Sequence, residues 1–131
     1  MSKLVVIDDD PIHHFLMRYA LHGSNNFDVT TYTMDGSLVL DYIEENKSNP
    51  DKLPDIIFLG LNMPKYSGWD FLDHFQQLYN GINKDIKVYV LTSSIQPADR
   101  ARGAQYSFIR SFINKPLQPD VIKEIRPAGS C

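Results

Sequence analysis

The chain has a single cysteine, Cys131, so it has no partner for a disulfide within its 131 residues and a reducing compartment is the expected setting. No apolar run approaches the ~20 residues of a membrane span, and the N-terminus lacks a signal-peptide hydrophobic region. A strong charge of either sign is also missing. Thirteen Lys and Arg against sixteen Asp and Glu leave a net charge of −3, unlike a basic nucleic-acid binder or an acidic disordered tail. There is no internal repeat and no low-complexity segment. These absences point to a cytoplasmic globular domain without a membrane or a direct nucleic-acid partner. With 43% apolar residues the chain can build one ordinary core.

What is present alternates strand and helix. Leu4 to Ile7 is a short β-branched run, and Asp10-Pro11 then supplies an N-cap and a first helical residue. Ile12, Phe15, Leu16, Tyr19 and Ala20 recur at helical spacing and are the expected inward face, with Gly23 as C-cap. Val29 to Tyr32 reads as a second strand, followed by a helix opened by Asp35-Gly36 and then a polar, exposed loop over 45–54. Ile56 to Leu59 reads as a strand buried on both faces, and Trp69, Phe71, Leu72, Phe75 and Leu78 line one side of the helix after it. Further strands are expected over 86–91 and 107–113, with helices over 97–105 and 119–126. Such alternation implies an α/β fold, a five-stranded parallel sheet covered on both faces as a three-layer sandwich. Residues 1–126 form the expected single domain and 127–131 a tail, read as a cloning remnant or a truncation.

Right-handed crossovers bring the loops after strands one, three, four and five to one edge of the sheet. Those strand ends carry Asp8 and Asp9, Gly60 with Asn62, Thr92, and Lys115. Adjacent carboxylates suit a hard cation such as Mg²⁺. A lysine and a hydroxyl suit phosphoryl oxygens, whose transfer is catalysed largely by positioning and charge neutralisation. Singly, each has a plainer reading: an acidic N-cap, a strand-end turn, a surface lysine. Their joint order along one fold is the stronger signal.

The motifs Val6-Ile7-Asp8-Asp9-Asp10-Pro11, Leu59-Gly60-Leu61-Asn62-Met63-Pro64 with Gly68, Val90-Leu91-Thr92-Ser93 and Phe112-Ile113-Asn114-Lys115-Pro116 resemble the receiver domain of bacterial two-component response regulators. The likeness runs over about residues 3–126. The loop before strand three and Leu91-Thr92-Ser93-Ser94 are similar to stand-alone regulators that partner phytochrome-type sensor kinases. The resemblance implies a flavodoxin-like (βα)5 fold with strand order 2-1-3-4-5. It implies Mg²⁺ held by Asp8, Asp9 and the Asn62 carbonyl, with Lys115 on the phosphoryl group and a cis Lys115-Pro116 bond. It further implies that Thr92 and Phe112 move together as a switch. That shift remodels the face of helix four, strand five and helix five, which partners read. The implied partners are a sensor histidine kinase or phosphotransfer protein and a downstream target protein, with room for a homodimer. Such a module passes signals in a phosphorelay and is not expected to be an enzyme.

Position 60 departs from the pattern. Receivers carry there the aspartate that accepts the phosphoryl group, and Gly60 offers neither that nucleophile nor a metal-ligand carboxylate. The expectation is a chain that is not phosphorylated at this position and binds Mg²⁺ more weakly. Either an aspartate was substituted by glycine, one base away, or the chain is a natural degenerate receiver acting as a constitutive docking module. Losing one carboxylate from a crowded group relieves repulsion, against a strand cost of ~0.5–1 kcal/mol for glycine.

Other constellations carry less. His13, His14, His22 and His74 show no zinc-type spacing and are expected to be solvated or half-buried. Trp69, Tyr66 and Phe71 read as packing residues. A haloacid-dehalogenase-type phosphatase would need an acidic pair after the lysine, where only Asp120 and Glu124 remain, in a helix. A flavin-binding flavodoxin would want a hydroxyl- and glycine-rich phosphate loop where three aspartates stand, whose charge repels phosphate.

Overall fold

A computed structural model describes residues 3–21, 27, 29–61, 63, 67–82, 84–93, 95–115 and 118–125. In chain order the elements are β1 (Lys3–Ile7), α1 (Pro11–Leu21), β2 (Val29–Thr33), α2 (Gly36–Glu45), β3 (Ile56–Gly60), α3 (Gly68–Tyr79), β4 (Lys87–Thr92), α4 (Pro97–Gly103), β5 (Ile109–Asn114) and α5 (Pro119–Glu124). The strands form one parallel sheet in the order β2-β1-β3-β4-β5, the flavodoxin-like arrangement. Every residue of β3 is buried, as its unbroken apolar run requires of a central strand.

Two apolar layers hold the helices to the sheet. On one face Ile7, Ile57, Leu59, Val88 and Val90 meet the inner sides of α2 and α3, among them Val39, Ile43, Phe71 and Phe75. On the other, Val6, Phe58 and Leu91 meet Met17 of α1 with Ile122 and Ile125 beside α5. Helix α3 starts cleanly because Ser67 and Asp70 form a reciprocal capping box. Gly68 is needed at its first position, since a Cβ there would stand 2.7 Å from the Gly60 carbonyl oxygen. Among the described residues no helix is long and apolar enough to cross a membrane.

The expected elements are present, with shifted ends. Helix α4 stops at Gly103, β4 runs one residue further along the chain at both ends, and β5 starts at Ile109, after a tight turn in which the Ile109 N–H bonds the Tyr106 carbonyl. The loop over 45–54 is not wholly exposed: it includes a 3-10 turn at Pro50–Lys52, and Leu53 is fully buried. Gly23, the Lys115-Pro116 bond, Arg126 and the tail fall outside the described residues.

The larger correction is the orientation of α1. The stripe expected to face inward is turned outward, with Ile12, Phe15 and Tyr19 at 71, 70 and 77% exposure. His13, His14 and Met17 are buried instead. The phase of the helix is set where it begins. Asp10 caps it, its carboxylate accepting the Ile12 N–H at 3.0 Å. Residues 13 and 17, one turn apart, then come to lie over the end of β1. There the Asp8 backbone and carboxylate need hydrogen-bond donors, which an isoleucine or phenylalanine could not supply.

Candidate functional site

The site is built around Asp8, fully buried in the residue after β1. Its Oδ2 accepts a hydrogen bond from His13 Nδ1 at 2.6 Å and pairs with the Lys115 ammonium at 2.8 Å. Its Oδ1 accepts the Asp10 N–H at 3.1 Å. His14 Nε2 donates to the Asp8 carbonyl oxygen, and the His14 ring lies tilted against Tyr32. Burial alone would raise the Asp8 pKa. The His13 hydrogen bond, the Lys115 charge and the Asp10 N–H outweigh it and bring the carboxyl down to about 2. Asp8 is therefore an anion whose charge is compensated from within the chain.

Lys115 follows β5 directly and reaches over the intervening strand ends. Its own N–H bonds the Thr92 carbonyl at 2.8 Å, which fixes the loop and aims the side chain. Thr92 is buried at the end of β4, opposite Asn114 in the ladder. Gly60 ends β3 between them. A Cβ on it would stand 3.1 Å from Asp8 Cγ, 3.2 Å from Asp8 Oδ1 and 3.3 Å from the Ile7 carbonyl oxygen. Those spacings are tighter than ordinary contact, so the Asp8 group lies close against the bare backbone of β3.

The structure thus brings Asp8, Gly60 and Lys115 together and sets Thr92 at the neighbouring strand end. Asp9 is only partly buried, and among the described residues its carboxylate joins no hydrogen bond or ion pair. Asn62 lies outside the described residues. Phe112, half-buried on β5, rests its ring on α4: a Cβ at Gly103 would fall 2.5 Å from its Cζ, so only a glycine leaves room for it there.

The solvated reading of His13 and His14 is overturned, since both are buried and bonded to Asp8. What marked them in the sequence was the i, i+4 relation of His13 to Met17. Taken with the Asp8 strand end, it could have placed an imidazole on the inner side of α1, where the apolar stripe was expected instead. His13 Nε2 is buried without a hydrogen-bond partner among the described residues. Trp69 and Phe71 are packing residues as expected: Trp69 stacks on Tyr106 and lies under the Arg102 guanidinium at 4.2 Å.

These side chains do not fit a Mg²⁺ ion as they stand. A hard divalent cation needs oxygen ligands free to accept it. Asp8 Oδ2 already meets two donors and Oδ1 one, and Gly60 brings no carboxylate. Among the described residues no group of three or more His, Cys, Asp or Glu side chains is arranged to hold a metal.

A parallel sheet of this strand order, with an acidic group and a lysine meeting over the strand ends, defines a signalling module of the receiver type. Residues 4–126 match the response regulator receiver domain, and the chain belongs to that family. Its members bind Mg²⁺ in general, interact with histidine kinases or phosphotransfer proteins, and are signalling modules in two-component pathways rather than enzymes in the usual sense. The sensor histidine kinase CheAY of Helicobacter pylori is 31% identical over 81 residues, which are 62% of this chain. The match spans only 10% of that longer protein. A two component response regulator from Cytophaga hutchinsonii superposes with a TM-score of 0.82 at 24% identity, covering 95% of this chain and 92% of that one. The receiver domain of the histidine kinase CKI1 from Arabidopsis thaliana, complexed with Mg²⁺ and BeF3⁻, superposes at 0.75 with 20% identity, covering 94% and 88%.

Proposed function

We propose that this receiver, residues 1–126, takes part in a phosphorelay through protein contacts and does not accept a phosphoryl group at position 60. The closure of Asp8 against Gly60 carries the reading. In the family's mechanism a Mg²⁺-assisted transfer moves the phosphoryl group from a kinase histidine to an aspartate at this position. Lys115 and Thr92 stand ready to meet it, and Phe112 follows the Thr92 shift. Here the acceptor is absent, and Mg²⁺ binding by Asp8, Asp9 and Asn62 is weakened further because Lys115 already pairs with Asp8 and His13 hydrogen-bonds it. Of the two origins of Gly60, a substituted aspartate and a natural docking module, the second has a specific observation in its favour. The Asp8 carboxylate is paired with Lys115 and hydrogen-bonded to His13 without a further carboxylate at position 60.

The outward stripe of α1 supports a docking role. Ile12, Phe15, Leu16 and Tyr19 follow i, i+3, i+4 and i+7, the spacing of a helix that lies along other helices. It starts directly beside the site and suits the helical surface of a sensor kinase or phosphotransfer protein. A downstream target would read the face of α4, β5 and α5 around Phe112. Beryllofluoride with Mg²⁺ tests the proposal through Trp69 fluorescence. The chain as it stands should show no change. A response in Gly60→Asp would mark a substituted site, and silence there a site rebuilt around Asp8. A saturable response of the unaltered chain would refute the proposal.

A further inference from the structure

We infer that the open edge of β2 pairs with the same strand of a second copy of this chain, antiparallel about a twofold axis at Thr31. Strands β2 and β5 are the two edges of the sheet, and they are protected differently. The β5 edge carries exposed Arg110 and Ser111, and its ladder shifts register opposite Val88 and Tyr89. Charges and irregularities of this kind keep sheet edges from pairing. Strand β2 reads Val29-Thr30-Thr31-Tyr32-Thr33, with no charge and no proline, and its ladder with β1 is regular from Lys3↔Val29 to Ile7↔Thr33.

The hydrogen-bonding phase of this edge suits a copy of itself. The Thr33 carbonyl accepts the Asp8 N–H, so Thr33 turns its backbone groups toward β1. By alternation Val29 and Thr31 do the same, and Thr30 and Tyr32 present theirs to the open side. A twofold axis at Thr31 sets Thr30 against Tyr32 of the second copy, and Tyr32 against its Thr30. Each such pair exchanges two backbone bonds. Thr31 then faces its own equivalent, a favourable cross-strand combination.

The surface beside the edge is partly apolar. A groove of about 530 Å³ runs along β2, lined on its apolar side by Val5, Val29, Leu38 and Tyr42. Among the described residues its charged lining is Lys3 and Lys52. Helix α2, which forms its wall, exposes Asp41, Glu44 and Glu45.

Sedimentation equilibrium up to on the order of 1 mM tests this, with circular dichroism to confirm that each variant is folded. The chain should approach twice its monomer mass. Thr31→Lys, which sets like charges face to face on an exposed position, should raise the dissociation constant about tenfold or more. Ser111→Lys on the β5 edge should leave it unchanged. A chain that stays monomeric throughout overturns the inference. So does self-association that survives Thr31→Lys, or that is lost in Ser111→Lys or in Phe15→Lys on α1.

Discussion

The ends of β1 and β3 lie side by side and have opposite characters. At the end of β1 both oxygens of a buried carboxylate meet donors, an imidazole and an ammonium on one and a backbone N–H on the other. At the end of β3 there is no side chain, and the neighbouring carboxyl group lies within 3.1 Å of where one would begin. A receiver needs both ends to be acidic and open, so that a cation can bridge them. Here one end supplies the charge and the rest of the chain neutralises it. With no carboxylate at the end of β3, Lys115 pairs with the one at the end of β1.

The sharpest way to break this contrast is to remove the charge at the end of β1. Asp8→Asn leaves His13 buried beside a neutral amide and Lys115 without its anion. It should cost about 3–5 kcal/mol in urea unfolding, the usual loss when one partner of a buried pair is removed. A loss below about 1 kcal/mol would mean that the cluster contributes little to holding the site together. Acid should do part of the same. The Asp8 carboxyl is depressed from 3.8 to about 2, so its stabilising effect is complete above pH 4 and fades as the pH falls through 2. Roughly 2 kcal/mol should disappear over that interval in the unaltered chain and be absent from the profile of Asp8→Asn.

The end of β3 should respond more weakly. Gly60→Ala gains strand propensity but presses a methyl group on Asp8, and a net destabilisation of about 1 kcal/mol is expected. A stabilised Gly60→Ala would show that the two strand ends are not in contact. The smallest effect is expected from the metal. Millimolar MgCl2 should shift the melting temperature by less than about 1 °C, because a ligand stabilises only as far as it binds the folded state. In Gly60→Asp the shift should be larger if Lys115 gives up Asp8 for the restored carboxylate.

Most of the fold was legible because its signals are local. The apolar runs at 4–7 and 56–59 identify inner strands, and Asp10-Pro11 and Asp35-Gly36 mark helix starts. Asp8, Gly60 and Lys115 could be grouped because parallel topology sends those strand ends to one edge. The inner face of α1 was not legible from apolar spacing. Ile12, Phe15, Leu16 and Tyr19 make the stronger hydrophobic pattern, yet the end of β1 demanded donors, and His13 and His14 took the inner positions. The start of β5 was displaced for a similar reason. Phe108 is apolar and buried, but it packs on Phe75 and Tyr79 from a turn before the strand begins.

With Asp8 held by Lys115 and His13 and no side chain at position 60, the site should accept no phosphoryl group. Intact mass spectrometry after incubation with a small-molecule phosphodonor and Mg²⁺ tests it most directly. The account predicts an unchanged mass for the chain as it stands, at donor concentrations that fully modify an active receiver run in parallel. A stable gain of one phosphoryl group would contradict it and would place an acceptor elsewhere at the site, with Asp9 and Ser67 the first residues to map.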